Sequence, residues 1–258
     1  MKNLILPLLL LMAGCSFLPK EKASTDNIPE KLRAAAIVGY EYAQMAENTY
    51  KPHATFTLPV SISNPKNEDN DRYGLAYSVF HRMDSGSLSE VILSFRGTEG
   101  LQDWIFGNIF AMQNDRGLAV YRDLRKTTPS NIPITVIGHS LGGAIALHVS
   151  LREENVNTFV FNTSSRFTRG NALNSERHSY SEYAEVNKIL RVFTIDPKWT
   201  HSIYSCTFGH PVKNHAQDKL AACLTACAAQ RDENAKQSVA NNSKIFDGNS
   251  VFDRACME

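Results

Sequence analysis

The chain has 258 residues, of which 43% are apolar and 21% charged, and a formal net charge of +1. That length holds one sizeable domain or two small ones, and the composition is that of an ordinary globular protein. The near-neutral balance, with no long basic run, gives no reason to expect a nucleic-acid partner.

The first stretch, "MKNLILPLLLLMAGC", places Lys2 ahead of an apolar run over 4–13. The run is too short to cross a bilayer as a helix and reads as a secretory signal. An ordinary cleaved signal with an incidental cysteine is one reading. The end of the run, "LMAGC", resembles the lipobox of bacterial lipoprotein precursors, with Met12 where leucine is usual. The resemblance implies that 1–14 is a signal peptide and that Cys15 is the lipid-bearing first residue of an exported, membrane-anchored protein. Ser16 in the following position implies the outer membrane. Several acyl chains on one cysteine make a stable anchor, whereas one chain binds only marginally. The polar stretch over 16–27, broken by Pro19, reads as a tether. We take 15–27 as lipidated N-terminus and tether, and 28–258 as a single domain.

In that domain, "IPEKLRAAAIVGYEYAQMAENTY" has proline near its first turn and apolar residues at spacings of three and four, so a helix is expected. "YGLAYSVFHRM" and "EVILSFRG" are strand-like, joined by the turn-rich "DSGSLS". "GLAVYRDLRK" reads as a helix with basic residues in its last turn, where they complement the helix dipole. Then come an apolar strand "ITVIG", a helix "LGGAIALHVSLREE", a strand "NTFVFNTS", a strand "NKILRVFTID" and a helix "HAQDKLAACLTACAAQ". The polar "ENAKQSVANNSK" is expected to be a loop or tail. Apolar strands alternating with helices predict an α/β fold: a mostly parallel central sheet flanked by helices on both faces.

"GHSLG" lies at the junction of the apolar strand and the alanine-rich helix. A G-x-S-x-G run between strand and helix is the pattern of a nucleophile elbow, in which a tight turn lifts the serine hydroxyl above the sheet. Backbone N–H groups at the helix start can then stabilise a developing oxyanion. The competing reading of Ser140 is a helix-capping serine. A serine nucleophile needs a base and the base an orienting acid, which in α/β-hydrolases follow in the order serine, acid, histidine. Asp196 stands just past "ILRVFTI" and is the candidate acid; Asp218, inside a helix, is the substitute. Of His201, His210 and His215, the last sits at the mouth of a helix and is the preferred base, followed by His210. His139 is set aside because side chains of successive residues diverge, and His148 because it lies within a helix.

"LSFRGTEGLQDW" (93–104) together with "GHSLGG" (138–143) and the intervening "DRGLAVYRDL" resembles the lipase class 3 family in content and order, over roughly 32–224. The resemblance implies an α/β-hydrolase that cleaves carboxylic esters. It implies that Thr98 gives a backbone N–H, and its hydroxyl, to the oxyanion hole, and that Leu141 gives the second N–H. "NHAQDKLAACL" is similar to the family's histidine-then-helix ending, which favours His215. "FNTSSRF" departs from the family's glycine-serine-proline turn.

"WIFGNIFAMQN" (104–114) carries Trp104, Ile105, Phe106, Ile109 and Phe110. It reads either as a helix buried against the core or as a lid whose apolar face meets lipid. Cys206, Cys223, Cys227 and Cys256 are available for disulfides in an exported chain, and their pairing is open. No spacing fits a metal site, and no cofactor is expected. The functional expectation is a serine hydrolase acting on an acyl-lipid or ester substrate, attached to a membrane through Cys15. The other classes are a non-catalytic lipoprotein on a hydrolase scaffold, and an esterase or acyltransferase for soluble substrates.

Overall fold

The computed structural model describes residues 28–50, 54–68, 74–97, 107–164, 174–183, 199–206, 210–248, 251–252 and 256. Helix α1 (Ile28–Asn48) comes first, then strands β1 (Ile62–Glu68), β2 (Tyr77–Asp84) and β3 (Ser87–Phe95). Helix α2 (Gly107–Thr127), strand β4 (Ile134–His139), helix α3 (Leu141–Ser150), and strands β5 (Asn157–Phe161), β6 (Arg177–Glu182) and β7 (Trp199–Tyr204) follow. The chain then runs through helices α4 (Pro211–Asn214), α5 (Gln217–Ala229), α6 (Glu233–Asn241) and α7 (Ser243–Phe246).

The strands form one seven-stranded sheet in the order β1-β2-β3-β4-β5-β6-β7, so every neighbour in space is a neighbour in sequence. β1, β2 and β3 pair antiparallel; β3 to β7 are parallel. The β2–β3 hairpin turns on Ser85 (φ 49°) and Gly86 (φ 83°) between the paired Asp84 and Ser87. Two left-handed residues in a two-residue turn match the right-handed twist of the strands they join. β1 is an edge strand, and its Pro65 falls where the register shifts between Ser63 and Lys66. Proline has no N–H for the ladder, so an irregular edge is where a sheet accepts it.

Side chains alternate across the parallel strands and build two apolar layers. Val91, Leu93, Phe95, Val136 and Val160 face α2 and α3, meeting Leu118, Tyr121, Ile145, Leu147 and Val149. Ile92, Ile137, Phe159, Phe161, Tyr180 and Tyr204 face the other way, onto Ala36, Tyr40, Ala43 and Met45 of α1 and Leu220 and Leu224 of α5. The expected mostly parallel sheet flanked on both faces by helices is therefore the observed architecture. α1 lies along α5 and is cross-tied to it: Gln217 Nε2 donates to the Ala43 carbonyl (2.9 Å), and Gln44 Nε2 to Thr225 Oγ1 (2.9 Å).

β6 is a strand that hydropathy does not announce, since "RHSYSE" is mostly polar. Its Arg177, 2% exposed, is buried because it has work at the end of α3: Nε donates to Ser150 Oγ (2.9 Å) and Nη2 to the Ser150 carbonyl (2.7 Å). A cation there also complements the negative end of the helix dipole. The strand expected over 187–196 lies outside the described residues, as do the expected signal, Cys15 and the expected tether. No helix among the described residues is long and apolar enough to cross a membrane.

The expectation of a loop or tail over "ENAKQSVANNSK" is corrected: α6 occupies this stretch. Asp232 caps it, its carboxylate accepting from the Ala235 N–H at 2.7 Å, and Ala235 and Ser238 are buried. The low apolar content misled because α6 needs to bury only a narrow stripe, and Ser238 Oγ satisfies Gln44 Nε2 at 2.9 Å. The cysteines pair as Cys206–Cys223 and Cys227–Cys256, with Cα–Cα distances of 6.0 and 5.4 Å. Both bonds end on α5.

Candidate active site

β4 ends at His139, α3 starts at Leu141, and Ser140 is the single residue between them. Its backbone is left-handed in φ (φ 54°, ψ −119°), a conformation that L-residues avoid because Cβ crowds the carbonyl. The turn is this tight because its glycines allow it. A Cβ on Gly142 would be driven into the Phe95 carbonyl of β3, and one on Gly138 into the backbone of Gly142. The elbow is fixed to the next strand as well: the Ser140 N–H donates to the Phe161 carbonyl (3.0 Å), and the Ser140 carbonyl accepts from Ser164 N–H (2.9 Å). Ser140 is the residue before the first turn of α3, but its side chain makes no capping bond. The helix-capping reading of this serine is thus set aside, and the hydroxyl is committed elsewhere.

That commitment is to His215, whose Nε2 lies 3.0 Å from Ser140 Oγ. His215 sits between α4 and α5, and Asn162 and Asn214 hold that junction. Asn162, just past β5 and left-handed itself (φ 41°), donates from Nδ2 to the Asn214 carbonyl (3.1 Å) and accepts the Glu182 N–H on Oδ1 (2.9 Å). Asn214 Nδ2 donates in turn to the Tyr183 carbonyl (3.2 Å). One asparagine at the end of β5 therefore registers the histidine junction against the end of β6.

Leu141, the second expected oxyanion donor, is the first residue of α3, and a helix has no carbonyl for the N–H of its first residue. The positive end of the helix dipole lies at the same point. On the other side, the chain just beyond β3 passes the serine at Gly97: a Cβ there would stand 3.1 Å from Ser140 Cβ. Thr98, the next residue, lies outside the described residues, and so does Asp196. His201 lies within β7, His210 is exposed ahead of α4, and Asp218 is in the first turn of α5 beside Lys219 at 3.6 Å. Of the apolar run over 104–114, 104–106 lie outside the described residues, and α2 begins at Gly107.

Glu182 ends β6 at the same sheet edge and is 1% exposed. Burial pushes its carboxyl up to about 8, against the pull of the Tyr183 and Cys206 backbone N–H groups. One of its oxygens and the sulfurs of Cys206 and Cys223 lie within 4.8 Å of one another, a grouping that could ligate a metal, but both sulfurs are committed to their disulfide.

The arrangement can take a proton from Ser140 Oγ onto an imidazole, beside a helix N-terminus that can hold a negative charge. Of the residues the sequence singled out, the structure brings Ser140, Leu141 and His215 together; Asn162 was not among them, and its only signal was its place just beyond a strand end. No protein-family model matches the chain, and no curated protein is similar to it in sequence. Among solved structures it is similar to a triacylglycerol lipase from Penicillium expansum, at 13% identity over 77% of this chain and 88% of that one, TM-score 0.49. It is also similar to a lipase from Rhizopus microsporus var. chinensis (15% identity, 66% and 75%, TM-score 0.46) and to lipase II from Rhizopus niveus (15%, 67% and 80%, TM-score 0.45).

Proposed function

We propose that the protein is a serine carboxylic-ester hydrolase acting on acyl lipids. The observation that carries this reading is Ser140 Oγ at 3.0 Å from His215 Nε2, on a strained strand-to-helix turn with no capping role for the hydroxyl. In this reading Ser140 attacks the ester carbonyl and His215 takes the hydroxyl proton. Asp196 orients the imidazole, and the Leu141 and Thr98 N–H groups hold the oxyanion. His215 then returns the proton to the leaving alcohol. Water, activated by the same imidazole, releases the fatty acid. Attachment through Cys15 and the apolar run over 104–110 favour a substrate already in a bilayer, phospholipid or lysophospholipid ahead of triglyceride.

The test is fatty-acid release from phospholipid and lysophospholipid vesicles by the detergent-solubilised full chain, measured by mass spectrometry beside Ser140→Ala. Release that vanishes in the variant supports the reading and identifies the bond cut. No release, with Ser140 unreactive toward a fluorophosphonate, makes the chain a non-catalytic scaffold. Release of acid only from short soluble esters would remove the lipid substrate and keep the hydrolase.

A further inference from the structure

We infer that Tyr50 and His139 are positioning residues, a hydrogen-bonded relay that ties the backbone of His215 to the end of β3 beside the nucleophile. The inference rests on the hydrolase reading of Ser140 and His215. It starts from a short chain of contacts. The Gly97 N–H donates to Tyr50 Oη at 2.9 Å, Tyr50 Oη lies 2.7 Å from His139 Nδ1, and His139 Nε2 lies 2.8 Å from the His215 carbonyl oxygen.

The direction of the chain follows from which atoms can donate. A carbonyl only accepts, so His139 Nε2 carries the hydrogen. The Gly97 N–H occupies a lone pair of Tyr50 Oη, and the phenol O–H is aimed at Nδ1. Each bond then has its donor polarised by the one before, in a site where His139 is 6% exposed and water does not compete. The rings stand accordingly: Tyr50 and His139 edge to face at 5.6 Å, His139 and His215 tilted at 4.8 Å.

What separates this relay from an ordinary packing contact is where its two ends lie. One is the backbone of Gly97, where even an added Cβ would touch Ser140 Cβ and the His139 carbonyl. The other is the carbonyl of the general base itself. Tyr50 comes two residues after the end of α1, and α1 is pinned to β3 there by a hydrogen bond between Thr49 Oγ1 and Ser94 Oγ at 2.8 Å. The relay thus sets the spacing between the base, the nucleophile and the strand end next to it. The side chains of His139 and Ser140 do diverge, and that divergence lets His139 reach behind the base while Ser140 reaches in front of it.

A misplacement of reacting groups by about 1 Å costs on the order of a hundredfold in rate. With a soluble ester and the detergent-solubilised full chain, Tyr50→Phe and His139→Ala are each expected to lower kcat about 10–100-fold, with KM within about twofold of wild type. The double variant should be no slower than the slower single one, because both break the same chain. His139→Gln, which keeps a donor near the position of Nε2, should recover part of the loss. Melting temperature, measured alongside, should not track kcat. Additive losses, or losses that follow melting temperature, would overturn the relay. The second readout needs no turnover: the 15N signals of labelled histidines. In the relay, Tyr50→Phe shifts those of His215 as well as His139, and an unmoved His215 overturns it. If wild type and Ser140→Ala prove equally inert, the hydrolase reading falls, and the histidine signals alone decide whether Tyr50 positions His215.

Discussion

Replacing Ser140 by glycine and, separately, by alanine isolates the strain in the elbow. Both variants lack Oγ, so the hydrogen bond to His215 is gone from each, and they differ only in Cβ. At φ 54° and ψ −119° that Cβ is held where an L-residue pays about 1–2 kcal/mol, and up to about 3 in the least populated regions. Glycine escapes this cost but loses roughly 0.5–1 kcal/mol through the greater freedom of its unfolded chain. The net is about 1 kcal/mol in favour of Ser140→Gly, or about 2–4 °C in melting temperature for a chain of this size. Thermal unfolding of both variants under non-reducing conditions reads the difference directly, and neither should release fatty acid from vesicles. An alanine variant that melts at or above the glycine variant would refute the reasoning, since the left-handed turn would then not be held against a steric cost.

Other sites give separate tests. Gly142→Ala drives a methyl into the Phe95 carbonyl, so it should destabilise by about 1–3 kcal/mol or more in urea unfolding and lower activity through displacement of β3. Opening the Cys227–Cys256 bond with Cys256→Ser releases a loop with a sequence separation of 29, which corresponds to about 3–4 kcal/mol and a clear drop in urea midpoint. For Glu182, burial raises the folded-state carboxyl above the ordinary value of about 4.3, so the folded protein holds a proton that the unfolded chain gives up. Wild type should therefore lose stability as pH rises from about 4 to about 8. Glu182→Gln should stabilise most at pH 8, with the advantage fading toward pH 4, and urea midpoints at pH 4.5, 6 and 8 that differ by a constant would rule this out.

Where the sequence was legible, the signal was local. The elbow could be read because three glycines, an apolar strand and an alanine-rich helix all fall within one short window. His215 could be read because a histidine opens the last apolar helix. β6 could not, because its polar face is buried for a reason that sits elsewhere: Arg177 belongs to the end of α3. α6 was hidden in the same way, its few buried positions depending on a glutamine in α1. Tyr50 lies 90 residues before Ser140 in sequence and carries no motif; only the docking of α1 on β3 brings it to the site. His139 was visible and was set aside as a base; its adjacency to the serine speaks against that role and says nothing of its contact with the His215 backbone.

The order of the sheet has a consequence for how the molecule can come into being. Each strand pairs with the strands just before and after it in sequence, so a chain emerging from its N-terminus can lay down the sheet one strand at a time, closing only short stretches of chain. The helix layer over one face does not share that freedom. α1 is the first described element to appear, yet its apolar side is covered by α5, which comes more than 160 residues later. Until then α1 has only the sheet to cover Ala36, Tyr40 and Ala43, and the side it will give to α5 stays open to chaperones or to other half-made chains. The seam where the first helix finally meets the last part of the chain is also where Tyr50 meets His139 and His139 meets His215. Completion of the fold and assembly of these contacts therefore come together, and a chain cut short before His215 keeps Ser140 without the imidazole that lies 3.0 Å from its hydroxyl.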